Sequence, residues 1–322
     1  MVIKMRIRLG YVALSKSLDN ITSSKTITYT NYVKLSNEER LEKINKIIMS
    51  NFIDLEKILI YNIKNNIHFY RLTSKFIPLA THKDVNFDYI NKYETYYKKI
   101  GQLANKNNMR IDTHPDQYCV LNSTNSQIVA SSIIILEFHK NMLNAFGFNN
   151  PKIILHVGSS VLGKKNSIAR FINNFYKLDD ELKNMIVIEN DDRIYNIVDV
   201  LELCNKLKVP MVLDYHHFMC NNNGECLKNY IKDIFDTWNN SGTIPKIHFS
   251  SSKNKTKKDF RSHNDYINSD DFIKFVDDIK FLNRDFDIMI EAKMKDDALF
   301  RLVRELKYKT NYKFIDETTF EV

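Results

Sequence analysis

Glycine is scarce. Only seven occur in 322 residues, at positions 10, 101, 147, 158, 163, 224 and 242. They spell neither GxGxxG nor GxxxxGK[ST], so a Rossmann dinucleotide site and a P-loop are both disfavoured. Cysteine is rarer still: Cys119, Cys204, Cys220 and Cys226 form no CxxC. Cys220 and Cys226 are close enough in sequence to pair in principle, but a long chain with so few cysteines reads as reduced and cytosolic. No apolar run approaches the roughly 20 residues that a membrane helix needs. The first ten residues carry Lys4, Arg6 and Arg8 in place of an apolar signal core, so a cytoplasmic protein without a membrane partner is expected. Met5 offers an alternative start.

What is present is an ordinary globular balance, 43% hydrophobic and 27% charged, which excludes disordered and collagen-like classes. The length suits one large domain, since single barrels run to about 250 residues and beyond. Lys and Arg total 47 against 39 Asp and Glu, a net charge of +8. That surplus suits a polyanionic partner, although a biased genome gives the same excess.

Short β-branched runs alternate with longer segments of helical period. The runs are Met5–Val12, Ile67–Leu72, Met109–His114, Lys152–His156, Met185–Glu189, Val209–Asp214, Lys246–Phe249 and Asp287–Glu291. Helical stretches fall at 36–65, where Ser36 opens a capping-box spacing, and near 86–107, 126–146, 167–182, 194–207, 226–239, 270–283 and 296–307. Nearly continuous apolar strands between helices indicate a parallel sheet covered on its faces. A single-domain (β/α)8 TIM barrel over 1–322 is the simplest closure, with a core at about 5–308 and a C-terminal tail at about 309–322. An open doubly wound sheet has the same local pattern. No internal repeat or interdomain linker is visible.

Six successive strand ends carry metal-capable side chains: His114, His156, Glu189, Asp214 with His217 behind it, His248 with His263 in the loop beyond, and Glu291. A barrel gathers those ends on one face, whereas an open sheet spreads them along an edge. Any one histidine is more often structural than a ligand, but the coincidence across six ends favours a metal site. Glu189 and Glu291 follow aliphatic runs, where a buried carboxylate is costly unless a cation meets it. A single catalytic zinc uses three protein ligands. This larger set suggests several ions, as in metal-assisted phosphodiester hydrolysis. Nitrogen and oxygen donors without thiolate suit Mn²⁺ or Zn²⁺ better than Mg²⁺.

The chain resembles the UV damage endonuclease family. The resemblance rests on Leu9-Gly-Tyr11, Phe69-Tyr-Arg-Leu-Thr-Ser74, His114-Pro-Asp-Gln-Tyr118, Leu155-His-Val-Gly158, Glu189-Asn-Asp-Asp192, Asp214-Tyr-His-His217, Lys246-Ile-His248 and Ile290-Glu-Ala-Lys-Met-Lys295. It implies a TIM barrel that nicks damaged duplex DNA immediately 5′ to a UV photoproduct, leaving 3′-hydroxyl and 5′-phosphate. It also implies three Mn²⁺, with Zn²⁺ or Co²⁺ as alternatives, and no nucleotide cofactor. By the resemblance, His114, His156 and Glu189 hold one ion. Glu189, Asp214, His248 and Glu291 hold a second, and His217 and His263 a third. His216 adjoins His217, so their roles are exchangeable.

Lys246 matches a lysine that the family can carry carboxylated; otherwise it is a strand-start lysine with its head in water. Gln117 and Tyr118 match residues wedged into the duplex at the lesion, unless Tyr118 packs beside the ligands. Tyr11 matches a further probing tyrosine. His82 matches an active-site histidine that binds no metal, and joins Lys246, Glu189 and Glu291 as the catalytic set. Arg71 and Ser74 contact backbone phosphate, or Arg71 is an internal ion-pair partner. The basic run Lys253–Lys258 meets DNA or is a solvated loop. Asp116 stands where glycine is common in the family, and the long loop 13–35 has no assigned task. A monomer is expected. The rivals are a metal-dependent sugar isomerase on the same barrel and a non-catalytic damage-binding protein.

Overall fold

The computed structural model describes residues 4–254, 256 and 259–322. Residues 255, 257 and 258 of the basic run lie outside the described residues, and the DNA contact expected of that run lies there with them.

Eight parallel strands close on themselves. They are β1 (Arg6–Val12), β2 (Phe69–Leu72), β3 (Arg110–Thr113), β4 (Ile153–His156), β5 (Ile186–Glu189), β6 (Met211–Asp214), β7 (Lys246–Phe249) and β8 (Phe286–Ile290). Each pairs with the next, and β1 pairs with both β8 and β2. The (β/α)8 barrel is therefore closed, and the open sheet is excluded.

The helices form where amphipathic period and caps coincide. In Asn37–Lys64 the capping box is made: the Glu39 N–H donates to Ser36 Oγ at 3.3 Å, and the Ser36 N–H to Glu39 Oε2 at 2.8 Å. Ile44, Ile48, Phe52, Leu55 and Leu59 then fall on the buried face. The stretch expected at 167–182 is two helices, Lys164–Phe175 and Asp180–Met185. Asp179 caps the second by accepting the Leu182 N–H at 2.7 Å. The stretch near 226–239 shrinks to Ile231–Asp236 after a short 3-10 turn.

Asparagine does much of the work that glycine does elsewhere. Asn66, Asn108, Asn150 and Asn283 take φ of +54°, +50°, +47° and +49° at the turns entering β2, β3, β4 and β8. A short amide side chain tolerates this left-handed backbone better than other non-glycine residues do.

The segment expected as a tail forms a hairpin, β9 (Lys313–Phe314) and β10 (Thr319–Glu321). β10 runs antiparallel along the first half of β1, pairing Arg6 with Glu321 and Arg8 with Thr319. Phe320 is buried, and Asp316 meets His68 Nε2 at 2.8 Å, so these residues complete the barrel wall.

The lumen has two kinds of lining below the strand ends. Ile154, Val187 and Val212, each two residues before a predicted ligand, form a separate apolar cluster with Trp238. Beside it lies a charged layer. Arg8 donates to Asp287 through Nε at 2.6 Å and Nη2 at 2.9 Å. Arg110 reaches Asp287 at 2.9 Å and Asp112 at 3.0 Å, and its guanidinium lies over the Phe69 and Trp238 rings. Lys246 Nζ donates to Asp112 at 2.9 Å.

Candidate metal centre

Barrel register brings the predicted residues level. His156 is the β-partner of Glu189, and Asp214 that of His248. His114 follows β3 and Glu291 follows β8. Alternation then points these side chains into the lumen, one layer above Asp112 and Lys246. Three overlapping groups offer ligand atoms within 4.8 Å of one another: His114 with His156 and Glu189, Glu189 with Asp214 and His217, and Asp214 with His248 and Glu291. Glu189 and Asp214 each belong to two groups, which is the arrangement bridging carboxylates require.

The hydrogen bonding leaves donor atoms that could hold a cation. His114 Nδ1 lies 2.8 Å from the Pro115 carbonyl and Nε2 lies 3.1 Å from Glu189 Oε2. Burial pushes this imidazole down to about 4, against the pull of Glu189, so the ring is neutral near pH 7. A neutral ring donates from Nδ1 to the carbonyl. That leaves the Nε2 lone pair facing a carboxylate oxygen, two acceptors with no proton between them. His217 Nδ1 likewise faces the Asn190 carbonyl at 2.9 Å, the backbone anchor typical of metal-binding histidines. His156 Nδ1, His248 Nε2 and Asp214 Oδ2 are buried without a hydrogen-bond partner. A divalent cation would answer both the facing acceptors and the unpartnered Asp214 oxygen, so the donor set fits one.

The charges are strongly perturbed. Burial, the largest influence on Asp214, raises its carboxyl well above the ordinary range; Glu189 and Glu291 add to this, against His217. Burial depresses His217, but Asp214 and Glu189 outweigh it and carry the ring up to about 9. Burial pushes the Glu291 carboxyl up, yet Arg71 and His248 hold it well below the usual value. Arg71 Nη1 is hydrogen-bonded to Glu291 Oε1. Arg71 is therefore the internal ion-pair partner, one of the two roles open to it.

Other expected residues fall in different places. His263 is outside the three groups among the described residues. Its ring centroid is 6.5 Å from His217 and 5.3 Å from His216. His216 is buried against Cys220, its Nε2 3.8 Å from Sγ. Lys246 is buried to its head, which excludes the water-exposed reading. Burial pushes its amine down to about 8, with Asp112 opposing and Arg110 assisting. His82 is in none of the three groups among the described residues and is stacked at 3.9 Å on Tyr29 of the loop 13–35. Ser74 lines a cavity of about 160 Å³ with Asp116 and His139.

Gln117 and Tyr118 are exposed in the loop after β3. Tyr118 is 71% exposed, so it does not pack beside the ligands. Asp116 shapes that loop by accepting the Tyr118 N–H at 3.1 Å. Tyr11 is a correction. It is fully buried and its hydroxyl donates to Asn62 at 2.7 Å, because strand alternation turns it outward under helix Asn37–Lys64. It cannot probe DNA from there.

Three supporting residues escaped the sequence reading. Asn190 bonds the Asp214 backbone through both amide atoms, at 2.9 and 3.0 Å, and holds His217 with its carbonyl. Asp112 anchors Lys246; its position two residues before His114 was the available signal. Tyr29, which stacks on His82, carried no signal among 17 tyrosines.

The family model described as "UV-endonuclease UvdE" matches residues 7–320. UV DNA damage endonuclease from Bacillus thuringiensis subsp. konkukian is 38% identical over 318 residues, covering 98% of this chain and 100% of that one. The Bacillus mycoides protein of the same name is also 38% identical over 318 residues, with the same coverage. The crystal structure of SacUVDE superposes with a TM-score of 0.84 at 35% identity, over 94% of this chain and 98% of that one. Endonuclease IV from Thermus thermophilus shares the fold, with a TM-score of 0.56 at 10% identity over 94% of this chain and 100% of that one. With a match along nearly its whole length, a closed barrel and candidate ligand groups at its rim, the chain belongs to the UV-endonuclease UvdE family.

Proposed function

We propose that the protein is a DNA repair endonuclease that hydrolyses one phosphodiester bond immediately 5′ to a UV photoproduct. The P–O3′ bond breaks, water supplies the new oxygen on phosphorus, and the products carry 3′-hydroxyl and 5′-phosphate. The observation that carries this reading is the carboxylate cluster of Glu189, Asp214 and Glu291, rimmed by histidine lone pairs, in a chain of this family. Divalent ions held by these residues, for which we propose three Mn²⁺, would supply Lewis acidity and lower the pKa of water there.

The protein's own residues hold that chemistry in place. His114, His156, Glu189, Asp214, His217, His248 and Glu291 are the ligands, with His263 completing the outer position. Arg71 fixes Glu291. Lys246 contributes from below, as the buried amine that the family can carry in carboxylated form. His82, oriented by Tyr29, holds a phosphate oxygen or moves a proton at the leaving group. Gln117 and Tyr118 enter the duplex where damage has already weakened stacking. Ser74 contacts the backbone. The protein acts as a monomer on chromosomal DNA in the cytoplasm; among the described residues no helix is long and apolar enough to cross a membrane.

The test is a 5′-labelled duplex with one defined photoproduct, incubated with Mn²⁺ or with EDTA beside an undamaged control. A Mn²⁺-dependent nick at the 5′ side of the lesion is expected. A metal-loaded protein that leaves this duplex intact and turns over an aldose would replace the proposal with the sugar-isomerase reading.

A further inference from the structure

The loop between β4 and helix Lys164–Phe175 begins at His156 and ends in an apolar tip. Val161 and Leu162 are 51% and 71% exposed. Leu162 has φ of +65°, a backbone region that side chains other than glycine and asparagine rarely adopt. It sits in a four-residue turn closed by the Gly163 N–H donating to the Ser160 carbonyl at 2.9 Å.

The surrounding side chains hold this conformation firmly. Asn122 donates to the Ser159 carbonyl at 2.7 Å and accepts the Ser159 N–H at 3.0 Å. The Tyr195 hydroxyl adds a bond to the same carbonyl at 2.7 Å. Ser167 Oγ at 3.0 Å and Arg170 Nη2 at 2.5 Å donate to the Val161 carbonyl, and Asn166 to the Leu162 carbonyl at 2.8 Å. The polar backbone is thus satisfied by its neighbours, while the hydrocarbon is left in water. Strain held by an over-determined surrounding is a mark of function.

Location narrows the partner. The tip is six residues past His156, on the rim where the scissile phosphate must arrive. Asn122 ties this loop to the β3 loop that carries Gln117 and Tyr118. Lys165 is exposed directly behind the tip. The tip follows a candidate ligand strand and is tied to the Gln117–Tyr118 loop, so a duplex held on that rim is the occupant this geometry favours.

We propose that Leu162, flanked by Val161, is an apolar wedge that enters the minor groove of the bound duplex and unstacks a base step, a second intrusion beside that of Gln117 and Tyr118. The proposal rests on the DNA endonuclease reading. Leucine is a common wedge in proteins that bend DNA from the minor groove. Lys165 supplies a phosphate contact at its foot.

Leu162→Gly tests it, because glycine accepts the left-handed backbone and only the side chain is lost. The variant is expected to melt no lower than the wild type. It should bind a lesion duplex about tenfold more weakly, a loss of the size seen when one base contact is removed. It should also fail to brighten 2-aminopurine placed opposite the lesion, while its salt slope stays unchanged. Leu162→Asn, which tolerates the same backbone but is polar, should fail in the same way and serves if the glycine variant unfolds. Lys165→Gln should instead lower the slope of log affinity against log salt by about one. Leu162 variants with wild-type affinity and wild-type 2-aminopurine signal, in a protein that does nick, would overturn the wedge alone. A wild type that neither binds nor nicks the lesion duplex would overturn the DNA reading and the wedge with it.

Discussion

The barrel lumen holds two charged layers, one above the other, and they are balanced in opposite ways. The lower layer sets Arg8, Arg110 and Lys246 against Asp112 and Asp287. Its two carboxylates are met by these cations, and Asp112 also receives the Lys152 N–H at 2.8 Å. The upper layer sets Glu189, Asp214 and Glu291 against Arg71 and a ring of histidines. There Asp214 Oδ2 has no hydrogen-bond partner among the described residues, with His217 Nδ1 3.6 Å away, and the His114 Nε2 lone pair faces a carboxylate. Buried charges persist only when paired or bound to a cation. The lower layer carries all its cations in the chain, whereas the upper layer, with Arg71 and His217 against three carboxylates, offers groups that could hold cations from solution. One layer is a closed set of ion pairs, and the other is a candidate cation site.

The largest effect expected separates the layers by function. Glu189→Gln removes a carboxylate shared by two ligand groups. Nicking should fall by about a thousandfold or more, equivalent to roughly 4 kcal/mol of barrier. The rise in thermal midpoint that Mn²⁺ gives the wild type should vanish, and metal analysis should show depleted ions. The metal-free variant should melt within about 2 °C of the metal-free wild type, since one of three crowded carboxylates has gone. A metal-replete, active variant would remove Glu189 from the centre.

Asp287→Ala should do the reverse. It leaves Arg8 and Arg110 in the lumen without their shared carboxylate. Breaking a buried pair from one side costs about 3–5 kcal/mol. Urea unfolding should show that loss, while the fraction still folded keeps its Mn²⁺ response. Stability equal to the wild type would mean that water reaches the lower layer.

Acid should reach the lower layer in a defined window. Burial works to raise the Asp112 carboxyl, but Arg110 and Lys246 prevail and hold it at about 2. The folded value lies below the unfolded one. The contribution is therefore complete above about pH 4 and is lost as the pH falls toward 2, a loss on the order of a few kcal/mol. Denaturation followed from pH 5 to pH 2 should show this slope in the wild type and a shallower one in Asp112→Asn. Parallel slopes would mean that other carboxylates control the acid limb.

The upper layer was largely legible in the sequence, and the lower was not. His114, His156, Glu189, Asp214, His248 and Glu291 stand at strand ends, where barrel closure alone makes them neighbours. Arg110, Asp112 and Asp287 lie inside or at the start of strands, where a charged residue reads as solvent-facing until the lumen is known. Tyr11 fails for a related reason: it is next to the rim in sequence, but strand alternation turns it outward into the helices. The hairpin 313–321 was hidden because its strands are two and three residues long. Such strands carry too little periodicity to register and gain their order from pairing with β1. The exposure of Tyr118 and the left-handed backbone of Leu162 depend on loop geometry, which apolar period does not encode.

Lys246 joins the two layers, and its substitution should have the smallest effect on stability. It belongs to the lower layer by its bond to Asp112 and lies two residues before His248 of the upper. Lys246→Met keeps the length of the side chain and removes an amine that burial already drives toward neutrality. Asp112 retains Arg110 and the Lys152 N–H. Replacing one buried charge that has such substitutes should change unfolding free energy by about 1 kcal/mol or less. If Lys246 also serves the upper layer, nicking should still fall by about tenfold, near 1.4 kcal/mol. Lower activity at unchanged stability places the amine in the chemistry. Unchanged activity would confine it to the lower layer, and the division between the layers would then run between Lys246 and His248.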